Sequence, residues 1–149
     1  MFIKIRVKLN NIKHYKSGLV TNFMSLLIYC ATPSRLKDKT EEIMDLVTNE
    51  GNAPFHPFQA FPFERFEGNL KVGRDDSMEW CLNSIGICNA FYLFGVSDGT
   101  LQELVYAKTV KPVFLHLEFD SEWEKHYEIL GKKYDYPLEG MVGNPLFYR

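Results

Sequence analysis

Cysteine is scarce in this chain and does not pair. Cys30, Cys81 and Cys88 are odd in number, and no two of them stand in a C-x-x-C spacing, so neither a disulfide framework nor a zinc site is indicated. A reducing, cytoplasmic setting fits that usage. The four histidines are scattered, which argues against a metal, and no cofactor is expected. No apolar run approaches the roughly 20 residues that a spanning helix needs, which leaves a membrane out of the expected partners. The opening residues lack the apolar h-region of a secretory signal. Repeats and low-complexity tracts are missing as well.

Acid is missing from residues 1–23, which carry Lys4, Arg6, Lys8, Lys13 and Lys16, while the whole chain has a net charge of −2. A basic arm can meet nucleic acid or a membrane surface. Here Ile3, Ile5, Val7 and Leu9 alternate with Lys4, Arg6 and Lys8, which reads instead as a half-exposed strand over Phe2–Leu9 with its lysines in solvent. Nucleic acid is therefore not an expected partner. Met24 opens a fresh apolar segment, and a single domain over residues 24–149 is expected to follow the arm.

What is present in quantity is apolar and aromatic: hydrophobic residues make up 46% of the 149, enough for a sizeable core, and twelve Phe and eight Tyr suggest a stacking pocket or an aromatic interface. Leu26–Ala31 is a continuous apolar run, the pattern of a buried parallel strand. Thr32-Pro33-Ser34 breaks it, with Thr32 or Ser34 able to cap a helix over about Arg35–Asn49 that puts Ile43, Leu46 and Val47 on one face. Ala53–His56 reads as a short strand. Residues 57–73 read as a long loop in which Phe58, Phe61, Phe63 and Phe66 interleave with prolines and charges, fit for a substrate lid or for a dimer interface. A helix starts at Asp75 or Asp76 and runs to about Ile87, with Met78, Leu82 and Ile85 at core spacing.

The chain is organised around Asn89–Leu115. Two apolar runs, Ala90–Phe94 and Val113–Leu115, flank a helix, and Gly95-Val96-Ser97-Asp98-Gly99-Thr100 supplies the turn between the first run and that helix. This is a parallel βαβ unit. Ser121-x-x-Glu124 reads as a capping box opening a last helix to about Leu130, and no regular element is expected in Lys132–Arg149. The alternation implies an α/β three-layer sandwich around a mostly parallel sheet of four or five strands, flavodoxin-like or Rossmann-like. Ligands of such sheets sit where strand ends meet helix N-termini, so Glu103, in the first turns after the glycine-containing turn, should face the crevice.

The segments I-Y-C-A-T-P (28–33), R-D-D-S-M-E-W-C-L (74–82), C-N-A-F-Y-L-F (88–94), S-D-G-T-L-Q-E-L-V-Y-A (97–107) and K-P-V (111–113) come in an order that resembles the nucleoside 2-deoxyribosyltransferase superfamily, which includes 2'-deoxynucleoside 5'-phosphate N-hydrolases and related phage proteins. The resemblance covers roughly residues 26–117. It implies that Glu103 is the nucleophile, that Asp76 (or Asp75) is the acid or base-orienting group, and that Tyr29 holds the Glu103 rotamer. It further implies 5'-phosphate contacts from Ser97 and Arg35, and the backbone amides of the Ser97–Thr100 turn, Gly99 and Thr100 included, suit a phosphate at a helix N-terminus with Thr32 beside it. The family's glycine is Thr32 here and its aspartate is Asn89, and neither the arm 1–23 nor the loop 57–73 has a family counterpart.

The implied activity is cleavage of the N-glycosidic bond of deoxynucleoside monophosphates, by hydrolysis or by transfer of the deoxyribosyl group to another base. Breaking the C1'–N bond builds positive charge on the sugar, which a carboxylate ionised at neutral pH can stabilise or capture covalently. The expected partner is a small deoxynucleotide or deoxynucleoside, and the expected assembly is a homo-oligomer, most simply a dimer. Other readings stand beside these. Glu103 can be a solvated helix residue, Asp76 an N-cap, Ser97 a strand terminator, Arg35 a surface ion pair, Trp80 a core residue and His56 a strand-end filler. A protein that binds a nucleotide or a nucleotide-derived signal without turnover is the alternative function.

Overall fold

The computed structural model describes residues 25–66 and 68–134. The arm 1–23, with its expected strand, and residues 135–149 lie outside them. Strand β1 (Leu27–Ala31) leads through a 3-10 stretch (Ser34–Lys39) into helix α1 (Thr40–Asn49), and then come β2 (Ala53–Phe55) and a short helix α2 (Pro57–Ala60). A 3-10 turn (Phe63–Arg65), α3 (Arg74–Ile87), β3 (Ala90–Leu93), α4 (Asp98–Val110), β4 (Val113–Leu115) and α5 (Trp123–Tyr134) complete the order. The sheet has four strands in the order β2-β1-β3-β4, all parallel, with Tyr29 level with Phe55 on one side and Phe91 on the other. This is the expected α/β sandwich. No helix among the described residues is long and apolar enough to cross a membrane.

Because side chains alternate along a strand, each strand feeds both faces of the sheet. Tyr29, Ala31, Phe91, Leu93, Val113 and Leu115 point into the layer formed by α3, α4 and α5, where they meet Cys81, Ile85, Leu101, Leu104 and Tyr127. Ile28, Cys30, Tyr92, Phe94 and Phe114 point the other way, onto Ile43 and Val47 of α1. Both faces are covered, which is why the strands read as continuous apolar runs rather than as alternating ones.

The expectations shift at several boundaries. Neither Thr32 nor Ser34 caps the first helical segment: Pro33 stands at the N-cap, and the chain winds as 3-10 before α1 begins at Thr40. Residues 57–73 are not a bare loop, since His56 Nδ1 accepts the Phe58 amide at 3.3 Å and starts α2 there. The last helix runs on to Tyr134, beyond Leu130, and at its entrance the Asp120 carboxylate accepts the Glu122 amide at 3.1 Å.

Candidate active site

The connection after β1 leads to β2 on one side, whereas β3 lies on the other side of β1, so the chain's direction of winding reverses between β1 and β3. The turns that leave these two strands diverge and open a crevice at their carboxyl ends. A cleft of about 990 Å³ lies there. Its floor is Thr32 and Pro33 after β1, and Ser97–Thr100 with Glu103 after β3. Arg74, Ser77, Met78 and Cys81 of α3 form one wall, and Phe58, Phe61, Phe63 and Phe66 form the roof.

Glu103 is buried at the bottom, 6% exposed, and its Oε2 accepts the hydroxyl of Tyr29. The register explains how Tyr29 comes to be so well fixed. Its ring is stacked between its two strand neighbours, Phe55 at 5.8 Å and Phe91 at 5.7 Å between centroids, leaving only the hydroxyl free to reach α4. Burial holds the tyrosine pKa well above its ordinary value, so the group remains a donor. Burial also pushes Glu103 up to about 7, against hydrogen bonds from Tyr29 and Cys81 and the charge of Arg74, which pull the other way. The expectation of a fully ionised carboxylate at neutral pH is therefore corrected: proton-bound and proton-free forms coexist there. A carboxyl moved toward neutrality in a cleft is a candidate for proton exchange or attack, although burial in a purely structural site shifts pKa values in the same way.

No family model, curated protein or solved structure matches this chain.

Ser97, Gly99, Thr100, Thr32 and Glu103 line the crevice, and Tyr29, fully buried, reaches it only through its hydrogen bond to Glu103. Ser97 is the N-cap of α4: its Oγ accepts the Thr100 amide at 3.1 Å, while Thr100 Oγ1 accepts the Ser97 amide at 2.8 Å and donates to Gly95 O at 2.9 Å. These hydroxyls fix the turn, and the first residues of α4 line the cleft. Asp98 also stands there, its carboxylate turned to Gln102 (2.8 Å), Lys133 (2.9 Å) and Tyr134 (2.5 Å), and its pKa is lowered chiefly by the tyrosine hydroxyl. Thr32 Oγ1 donates to Cys30 O at 3.2 Å and lies 3.1 Å from His56 Nε2. Since Nδ1 of His56 accepts from Phe58, Nε2 carries the proton and donates to Thr32. Burial lowers this imidazole to about 4, which keeps it neutral, so His56 joins β1 to α2.

Two expected residues are placed elsewhere. Asp76 Oδ2 accepts the Gly73 amide at 2.8 Å, closing the N-terminus of α3, and its side chain is not part of the cleft lining. Arg35 is paired with the buried carboxylate of Asp120, whose Oδ2 also accepts the Val96 amide at 3.0 Å. That pair ties the 3-10 stretch to the turn after β3 and takes Arg35 away from the ligand side. Two cations line the crevice, Lys37 and Arg74, and Arg74 is the one beside the start of α4: a Cβ placed on Gly99 would lie 3.2 Å from its Nη2. One sequence signal could have found it. Arg74 opens a helix, where the macrodipole disfavours positive charge, so a basic residue there calls for a negative partner. Trp80 packs with Phe61 and Phe66 and props the roof rather than lining the cavity. Among the described residues no cluster of His, Cys, Asp or Glu is arranged to hold a metal ion.

Proposed function

We propose that this cleft cleaves the C1'–N bond of 2'-deoxynucleoside 5'-monophosphates, passing the sugar to water or to a second base. The observation that carries this reading is the Tyr29–Glu103 hydrogen bond at the bottom of a switch-point crevice. Tyr29 donates to Oε2, and the other carboxylate oxygen is the one that would attack C1'. As that bond forms, the C1'–N bond breaks, its electron pair leaves with the base nitrogen, and the base takes up a proton from water in the open cleft, matched by the proton that the water or second base releases in the next step. Water or a second base then attacks C1' of the glycosyl ester and returns the carboxylate. The phosphate would lie against the first amides of α4 with Arg74 beside it, and the phenylalanine roof suits a planar base.

A binding protein without turnover is favoured by one observation: Asp76, the expected proton donor to the leaving base, is engaged with Gly73. Incubation with a panel of deoxynucleoside monophosphates and deoxynucleosides, scored for free base by mass spectrometry, separates the two. Base release that Glu103→Gln lowers on the order of 10³-fold supports catalysis. Tight nucleotide binding with no release from any substrate leaves the binding reading.

The same proposal places the protein in the cytoplasm, where its free and buried thiols would stay reduced, and makes it a C2 dimer. Leu70, Ile87 and Ile129 stand out into solvent in the single chain, which suits an apolar contact. Light scattering that gives a monomer mass at high micromolar concentration would remove the dimer.

A further inference from the structure

The cleft is lined from both layers of the sandwich. Arg74 and Glu103 come from α3 and α4 on one face of the sheet, whereas Lys37 comes from the 3-10 stretch that leads into α1 on the other. The roof spans the two sides. Phe66 packs on Trp80 of α3 with centroids 5.1 Å apart, while Phe58 packs on His56, which in turn lies against Thr32 at the end of β1. Phe63 meets Phe58 edge to face at 6.1 Å, and the residue after it, Glu64, brings a carboxylate oxygen to 4.0 Å from Lys37 Nζ. Both partners of this pair line the cleft. We propose that Lys37 and Glu64 read the hydrogen-bonding edge of the nucleobase, so that the cleft selects bases presenting an N–H donor beside an acceptor. This rests on the reading of the cleft as a deoxynucleotide site with C1' over Glu103, but its test needs no turnover.

The charged side chains that line the cleft are Lys37, Glu64, Arg74, Asp98 and Glu103. Asp98 is turned to Gln102, Lys133 and Tyr134, Glu103 lies under the sugar, and Arg74 stands beside the phosphate at the start of α4. A phosphate at α4 and a sugar over Glu103 leave the base the other flank, beneath Phe58 and Phe63 and against Lys37 and Glu64. The rings can stack on any base, so the choice among bases falls to directed polar groups. At 4.0 Å the pair is too far apart for a hydrogen bond, so neither partner spends a donor or an acceptor on the other. An exposed pair of this kind attracts weakly, and a base edge entering between them displaces little. The ammonium offers donors only and the carboxylate acceptors only. Together they complement an edge on which an N–H and a lone pair are neighbours: the 6-amino group and N1 of adenine, N1–H and O6 of guanine, or the 4-amino group and N3 of cytosine. An edge with acceptors alone would set a lone pair against the Glu64 carboxylate.

Calorimetric affinities test this in the full chain carrying Glu103→Gln, used to stop turnover. Each natural monophosphate is compared with an analogue whose edge lacks the N–H: the unsubstituted purine deoxynucleotide for deoxyadenosine and deoxyguanosine monophosphates, and the 2-pyrimidinone deoxynucleotide for deoxycytidine monophosphate. At least one natural nucleotide should bind about tenfold more tightly than its analogue, the worth of one hydrogen bond to a charged group. Adding Glu64→Ala should bring that nucleotide down to its analogue and leave the analogue where it was. Adding Lys37→Met should weaken both, since both keep the acceptor. The side chains of Lys37 and Glu64 are 63% and 70% exposed, so these variants should fold as the unmodified chain does. Equal losses for nucleotide and analogue in Glu64→Ala, or no loss in either, overturn the proposal, because a surface ion pair or a mere roof contact cannot sense one N–H. Discrimination that depends on Glu64 without base release from any substrate would keep this inference and remove the catalytic reading. Base release with no such discrimination would do the reverse, and no binding by any of the five overturns both.

Discussion

The hydroxyl of Tyr29 donates to Glu103 across 74 residues of sequence, and nothing else about the tyrosine is free to move. Its ring is held by Phe55 and Phe91, so Tyr29→Phe removes the donor and leaves the stack in place. The hydrogen bond from Tyr29 favours the charged carboxylate, and its loss should raise the Glu103 pKa further. Under the proposed mechanism the acid limb of the kcat profile then moves to higher pH. Activity at pH 7 should fall about 10- to 100-fold and recover in part as the pH is raised. A uniformly lower profile with an unshifted limb would mean that the tyrosine acts only through packing.

Glu103 and His56 should oppose each other in stability. Glu103 is raised from 4.5 to about 7, so between those values the folded chain holds a proton that the unfolded chain has released, and stability falls as pH rises through that window. His56 is lowered from 6.5 to about 4, so there the unfolded chain takes up a proton that the folded chain excludes, and stability is lost as pH falls. Each shift corresponds to about 3 kcal/mol. From pH 4.5 to 6.5 the two slopes nearly cancel in the unmodified protein. Glu103→Gln removes one of them, so that variant should gain stability steadily over this range and exceed the unmodified protein at pH 8 by up to about 3 kcal/mol. Urea midpoints at three pH values test this, and parallel profiles for the two proteins would refute it.

The two arginines should fail in different ways. Arg35 neutralises Asp120, a carboxylate 1% exposed that also holds the Val96 amide. Arg35→Ala should cost about 2 to 3 kcal/mol of stability by leaving that charge unpaired, with KM preserved in whatever folds. Arg74 is exposed at a helix start, so Arg74→Ala should leave the melting temperature nearly unchanged. It should raise KM about tenfold for monophosphates and leave deoxynucleosides unaffected. Equal KM changes for both substrate classes would remove Arg74 from the phosphate.

This contrast marks what the sequence makes legible. The apolar runs that became β1 and β3, and the Ser97–Thr100 turn that starts α4, are local patterns, and they carried the parallel sheet and the place of Glu103 in the crevice. Arg35 was misplaced because its partner, Asp120, lies 85 residues away and competes for the same guanidinium. Asp76 sits at the first turn of a helix, where capping and chemistry ask for the same residue type, and only the Gly73 amide separates the two. The short helix that His56 starts depends on contacts of that histidine with Phe58 and Thr32, which no periodicity records. Cys81 comes to line the cleft with Glu103 only once α3 packs on α4.

Gly95 and Gly99 flank the turn that positions the site, and their alanine variants should part ways. A Cβ on Gly95 would meet Pro33 Cγ at 2.7 Å, Pro33 Cδ at 2.8 Å and Asp120 Oδ2 at 2.9 Å. These neighbours are a ring and a carboxylate already committed to Arg35 and the Val96 amide, and none can retreat without breaking a contact that joins β1 to the turn. Gly95→Ala should therefore destabilise the fold by about 1 to 3 kcal/mol, visible as a lower melting temperature. A Cβ on Gly99 would come within 3.2 Å of Arg74 Nη2, the far end of a flexible side chain, with its next neighbour, Met78 Cε, at 3.7 Å. Arg74 can swing aside, so Gly99→Ala should melt within a degree or two of the unmodified protein. The displaced guanidinium should then reproduce the Arg74→Ala phenotype, a raised KM for monophosphates only, and the double variant should be no worse than either single one. Additive losses in the double variant would show that Gly99 acts by another route, through direct approach of the ligand to its backbone.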